Sequence, residues 1–236
     1  FVAGSMGPTN KSISITGGVT FEQLAESYRT QAEALITGGA DYLLLETQQD
    51  TITIKAALIG LEEGMKRAGR RVPVAVSVTI ETNGTMLAGQ NIEALYYTMA
   101  ARDLLYLGMN CATGPSLMTD HLRTLAQLCH LPTACVPNAG LPNTEGKYDE
   151  GPDVFHDLFE RFCTEGYVNL IGGCCGTGPD HVQQDQRKDD GGRVDVDALV
   201  GDCRLVQQAC GIRAECLGHH CDGQRVREAP RRGRNL

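Results

Sequence analysis

No apolar run in this sequence approaches the roughly 20 residues that a bilayer-spanning helix needs, so no membrane partner is expected. The chain also lacks a basic stripe over its first 180 residues, and its net charge is -8. Both features argue against a nucleic-acid surface as its main business. Its start, Phe1-Val2-Ala3-Gly4, has neither a basic region nor a long apolar stretch nor an initiator Met. This is not the pattern of a signal peptide, and it reads as a strand already under way. Cys-x-x-Cys pairs are missing, which excludes a zinc ribbon. Low-complexity repeats are missing as well, and 42% of the residues are hydrophobic, enough for a sizeable core.

What is present, up to about residue 180, is an alternation of short apolar runs and amphipathic helices. Strands are expected over Phe1–Gly4, Asp41–Leu45, Val72–Ile80, Leu104–Met109, Thr133–Val136 and Val168–Ile171. Helices are expected between them. Thr20 and Gln23 form a capping box for the first, whose Leu24, Tyr28 and Ile36 share a face. Further helices are read over 52–68, 92–101, 116–130 and from Pro152 to a stop at Gly166. Units of roughly 30 residues in strict alternation imply a parallel sheet flanked by helices. A complete eight-stranded barrel needs about 250 residues, and only about 180 here are regular. After His181 the character changes: nine Arg fall in residues 182–236, with a helix expected around 196–209 inside an otherwise weakly structured tail.

Ten cysteines are many for such a chain. Lying among long regular elements, they point to a reducing, cytoplasmic compartment and to metal or catalytic use of a few thiols. The strongest cluster is Gly172-Gly173-Cys174-Cys175-Gly176-Thr177, which follows a strand and so lies at the edge where β/α active sites are built. Cys111 follows another strand. Three thiolates with one open position make a catalytic zinc arrangement. From position alone, buried small residues or a vicinal disulfide remain open. Cys129 and Cys163 in helices and Cys135 in a strand read as buried packing residues. A second site in the tail, among Cys203, Cys210, Cys216, Cys221, His219 and His220, matches no finger spacing. His121 and His156 read as surface residues. Glu46, after Leu43-Leu44-Leu45, can meet a substrate ammonium group or simply cap a loop. Asn138 can serve as a turn residue or a weak oxygen ligand.

Taken together, Met6-Gly7-Pro8-Thr9-Asn10, Leu45-Glu46-Thr47, Gly108-Met109-Asn110-Cys111-Ala112, Pro137-Asn138-Ala139-Gly140-Leu141-Pro142-Asn143 and Gly172-Gly173-Cys174-Cys175-Gly176-Thr177 resemble the homocysteine-binding domains of cobalamin-dependent methionine synthases. The resemblance covers residues 1 to about 181, and the Pro-Asn-Ala-Gly-Leu-Pro-Asn stretch favours the cobalamin-dependent branch over the betaine-dependent one. It implies a (β/α)8 TIM barrel of which strands three to eight are present, with the divergent tail over 182–236. It implies zinc held by Cys111, Cys174 and Cys175, with Asn138 in the fourth position when substrate is absent, and Glu46 on the substrate amino group. Homocysteine would take a methyl group from methylcobalamin carried, like the folate site, by a module outside this sequence. The rival expectations are a zinc-binding chain without turnover, since six strands cannot close the barrel, and a thiol redox protein using Cys174-Cys175.

Overall fold

The computed structural model describes residues 1–183 and the pair Arg204–Leu205. Strand β1 (Ala3–Met6) leads to helix α1 (Phe21–Thr37), then β2 (Tyr42–Gln48) and α2 (Thr51–Ala68). Next come β3 (Val74–Val78), α3 (Ile92–Met99), β4 (Leu107–Asn110), α4 (Pro115–Leu128), β5 (Thr133–Val136) and α5 (Pro152–Thr164). β6 (Leu170–Ile171), the short α6 (Pro179–Gln183) and β7 (Arg204–Leu205) complete the described elements. The strands form one sheet in chain order, β1 to β7, and every pair is parallel. This is the α/β architecture of the TIM-barrel family, left open: among the described residues no strand pairs with the outer side of β1.

Local signals account for the helices. The Thr20 hydroxyl accepts from the Gln23 amide while the Gln23 side chain returns to the Thr20 amide, so the expected capping box is present. Asp50 caps α2, and Gly69 ends it in the left-handed conformation. Gly60 and Gly64 let α2 approach α1 backbone to backbone: a Cβ on Gly60 would lie 2.2 Å from the Ala25 carbonyl oxygen.

Strand residues alternate between two apolar layers. Leu43, Leu45, Val76, Leu107, Met109 and Cys135 face the helices in the main core. Leu44, Ala75, Tyr106 and Ala134 face the other way, packed with Ala3, Tyr42 and Leu170, and line the inner face of the sheet. Because all strands are parallel, their C-terminal ends and following loops share one edge, and the chemistry-bearing residues gather there.

Three expectations are corrected. β2 runs three residues past Leu45, so Glu46 lies inside the strand and not after it. Its pairing with β3 slips between Leu45 and Gln48, because two residues stand on β2 where one stands on β3. Of the helix expected over 196–209, only Arg204–Leu205 is described, and it is extended beside Leu170–Ile171. The remainder of that helix and the tail cysteines and histidines lie outside the described residues. His121 and His156 are half-buried rather than fully on the surface.

Candidate metal and substrate site

Cys111 is the first residue past β4, and its backbone is left-handed with φ of 59°, as is that of Ala112. The turn is held by the Cys111 amide, which donates to the Val136 carbonyl, and by the Thr113 amide, which donates to the Cys111 carbonyl. Cys174 and Cys175 lie three and four residues past β6. In a strand adjacent side chains point to opposite faces. Here the chain has already turned: the Cys174 amide donates to the Pro137 carbonyl, and the Thr177 hydroxyl caps the Cys174 carbonyl at 2.7 Å. Gly173 has to be glycine, since a Cβ would sit 2.3 Å from the Thr177 hydroxyl.

The result is that the three sulfurs converge. Cys111 Sγ is 3.8 Å from Cys175 Sγ, which is 3.9 Å from Cys174 Sγ, and all three lie within 4.8 Å of one another. It is the one such group of potential metal ligands among the described residues. The thiols respond to this crowding. Hydrogen bonds from Cys174 and then Cys175 hold Cys111 well below the usual thiol range despite burial. Cys174 is pushed far up by its hydrogen bond to Cys111, and Cys175 to about 11 by the same partner. One negative charge is therefore already preferred at the cluster, and a cation among the sulfurs would draw off the remaining protons. A soft divalent ion fits this donor set.

Asn138, buried two residues past β5, touches this cluster directly. Its Oδ1 accepts from the Cys175 amide at 3.1 Å, and its side chain adds a small share to the lowering of the Cys111 thiol. Glu46 stands on the inner face above Tyr42 and Leu44, where the Ser5 hydroxyl donates to its Oε2 at 2.6 Å. The expected packing cysteines are placed as follows. Cys135 is fully buried, and burial pushes its thiol up beyond any ordinary titration. Cys163 in α5 and Cys129, which caps α4 rather than lying within it, are half-buried against the main core.

Two residues gain a place here that the sequence pattern alone did not assign. Tyr148 packs its side chain over the loop, so that a Cβ on Gly176 would lie 2.4 Å from it. Burial first, then Cys175, pushes its phenol up to about 12. Asn110 is buried between Glu46's neighbour Thr47 and the strand β3. Only its position beside Cys111 in the Gly-Met-Asn-Cys-Ala motif could have drawn attention to it.

Comparison with known proteins places this arrangement. The family described as homocysteine S-methyltransferase matches residues 1–187. The methionine synthase of Mycobacterium leprae (strain TN) is 41% identical over 187 residues, covering 78% of this chain and 15% of that protein. The methionine synthase of Mycobacterium tuberculosis (strain ATCC 25618 / H37Rv) is 40% identical over the same length, with 78% and 16% covered. The chain thus spans about a sixth of the length of these relatives. Among solved structures, the apo form of the homocysteine methyltransferase MmuM from Escherichia coli is 26% identical with a TM-score of 0.56, covering 76% of this chain and 59% of that one. Its metallated form, at 24% identity and a TM-score of 0.53, shares the fold.

Proposed function

On the premise that this chain belongs to the homocysteine S-methyltransferase family, we propose that it binds homocysteine at a zinc centre and transfers a methyl group to the substrate thiol, giving methionine. The single observation that carries the metal assignment is the spacing of the three sulfurs. A tetrahedral zinc with sulfur at about 2.3 Å separates its ligand sulfurs by about 3.8 Å. The separations of 3.8 and 3.9 Å between Cys111, Cys175 and Cys174 need little adjustment to meet that. Zinc held there would acidify the homocysteine thiol, which is otherwise mostly protonated at neutral pH.

The chain's own residues do the rest. Cys111, Cys174 and Cys175 supply three ligands and leave one position for the substrate sulfur. Asn138 keeps a lone pair free after accepting from Cys175, and it takes the role of weak oxygen donor when substrate is absent. Glu46, oriented by Ser5, accepts the substrate ammonium group. Tyr148 packs against Gly176 and so holds the turn that follows Cys174-Cys175. The methyl donor we assign to methylcobalamin carried on another module, on the likeness to methionine synthases. The division into a partial barrel over 1–181 and a separate tail over 182–236 belongs to the same proposal.

Zinc content tests it. The purified, reduced chain is expected to hold one zinc by elemental analysis. Cys111→Ala, Cys174→Ala and Cys175→Ala should each lower that content, while Cys163→Ala should not. Equal retention in all four variants, or a zinc-free protein with a Cys174–Cys175 disulfide, would remove the assignment.

A further inference from the structure

Asn110 is 1% exposed and makes three hydrogen bonds with its carboxamide. Its Oδ1 accepts from the Thr47 amide at 3.0 Å and from the Ser77 hydroxyl at 2.7 Å. Its Nδ2 donates to the Thr47 hydroxyl at 2.8 Å. Both oxygen lone pairs and one amide proton are therefore used inside the protein. The partners are telling. Thr47 follows Glu46, and Cys111 follows Asn110. Thr47 is left-handed with φ of 58°, a conformation that β-branched residues avoid. It sits in the slip between Leu45 and Gln48, the kind of bulge that redirects a side chain next to it. Cys111, on the other side of Asn110, is left-handed too. One buried carboxamide thus fastens two unusual backbone positions, one beside the carboxylate and one at the sulfur.

We propose that Asn110 is a positioning residue that fixes the distance between the ammonium contact Glu46 and the metal ligand Cys111, and with it the selectivity for an α-amino thiol. The inference rests on the functional reading above. A bulge residue released from Asn110 would relax from the left-handed region, and the Glu46 side chain would turn with it. Cys111 would keep its amide bond to Val136 and remain a ligand. The predicted lesion is a selective one: metal is retained, thiols still bind, and recognition of the amino group is lost.

The test compares binding of homocysteine with 4-mercaptobutanoate, which lacks only the amino group, to the zinc-loaded chain by calorimetry. The unaltered chain should prefer homocysteine by about 10-fold or more, the worth of a charged hydrogen bond. Asn110→Ala should reduce that ratio by about 10-fold, with zinc content and 4-mercaptobutanoate affinity unchanged. Thr47→Val, which removes only the hydroxyl that Asn110 holds, should reduce it in the same direction and serves if Asn110→Ala does not fold. Glu46→Gln separates the two layers of the argument. If Glu46→Gln abolishes the preference while Asn110→Ala and Thr47→Val preserve it, the positioning role is overturned and the functional reading stands. If Glu46→Gln leaves the preference intact, the assignment of Glu46 fails, and the role of Asn110 fails with it.

Discussion

Tyr28 lies fully buried in α1, with its hydroxyl donating to the Gly7 carbonyl at 3.0 Å and reaching Gln48 Oε1 at 3.4 Å. Burial pushes its pKa up to about 12, against about 10 in an unfolded chain. A group whose proton is held more tightly in the folded state stabilises fully below the unfolded pKa and loses that effect as pH rises through the folded one. The loss therefore falls between about pH 10 and 12. Urea unfolding across that window should show a shallower decline for Tyr28→Phe than for the unaltered chain, and parallel declines would mean that Tyr28 ionises normally. At this scale the sequence is uneven to read. Cys174 and Cys175 announce themselves by adjacency within a glycine cluster after a strand. Asn110 does not, because its partners Ser77 and Thr47 lie 33 and 63 residues away. Tyr148 is silent for the same reason, since its contact with Gly176 exists only once β5 and β6 are side by side.

Whole elements are more legible than their ends. Thr20, Asp50 and Asn91 each accept from an amide of the first helical turn, as such residues do wherever a helix begins, so α1 to α3 begin close to where the pattern places them. Strand ends depend instead on whether a neighbour lies alongside, which periodicity does not report. β3 and β4 accordingly start later than their apolar runs, and β2 runs further. The α1–α2 contact shows where propensity misleads. Replacing a mid-helix glycine with alanine ordinarily adds about 0.5–1 kcal/mol of stability. At Gly60 the new methyl would meet the Ala25 carbonyl oxygen at 2.2 Å and the Arg29 amide at 2.9 Å, and backbone cannot swing aside as a side chain does. Overpacking of that kind costs about 1–3 kcal/mol. Gly60→Ala should therefore be net destabilising in denaturant titrations, and a stabilised variant would show that the helices can part.

In the molecule as a whole, the candidate site and its support are divided between the two faces and the two edges of one parallel sheet. The helix-side layer holds the sheet, the inner layer of Leu44, Ala75, Tyr106 and Ala134 packs against its other face, and the three-sulfur cluster lies at the C-terminal edge. No helix among the described residues is long and apolar enough to cross a membrane. On the positioning role proposed for Asn110, its fastening of β2 to β4 makes the mouth of this sheet a gauge of length. On the proposed roles of Glu46 and Cys111, the opening takes a molecule at two points, and the Asn110 bonds to Thr47 fix the backbone between them. Cysteine carries the same thiol and the same ammonium group as homocysteine, one methylene closer together. It can satisfy either end but not both, and a single methylene misfit is worth roughly 10–200-fold in discrimination. Competition calorimetry should therefore rank cysteine at least about 10-fold below homocysteine, and equal affinity would mean that the opening stretches to fit its guest.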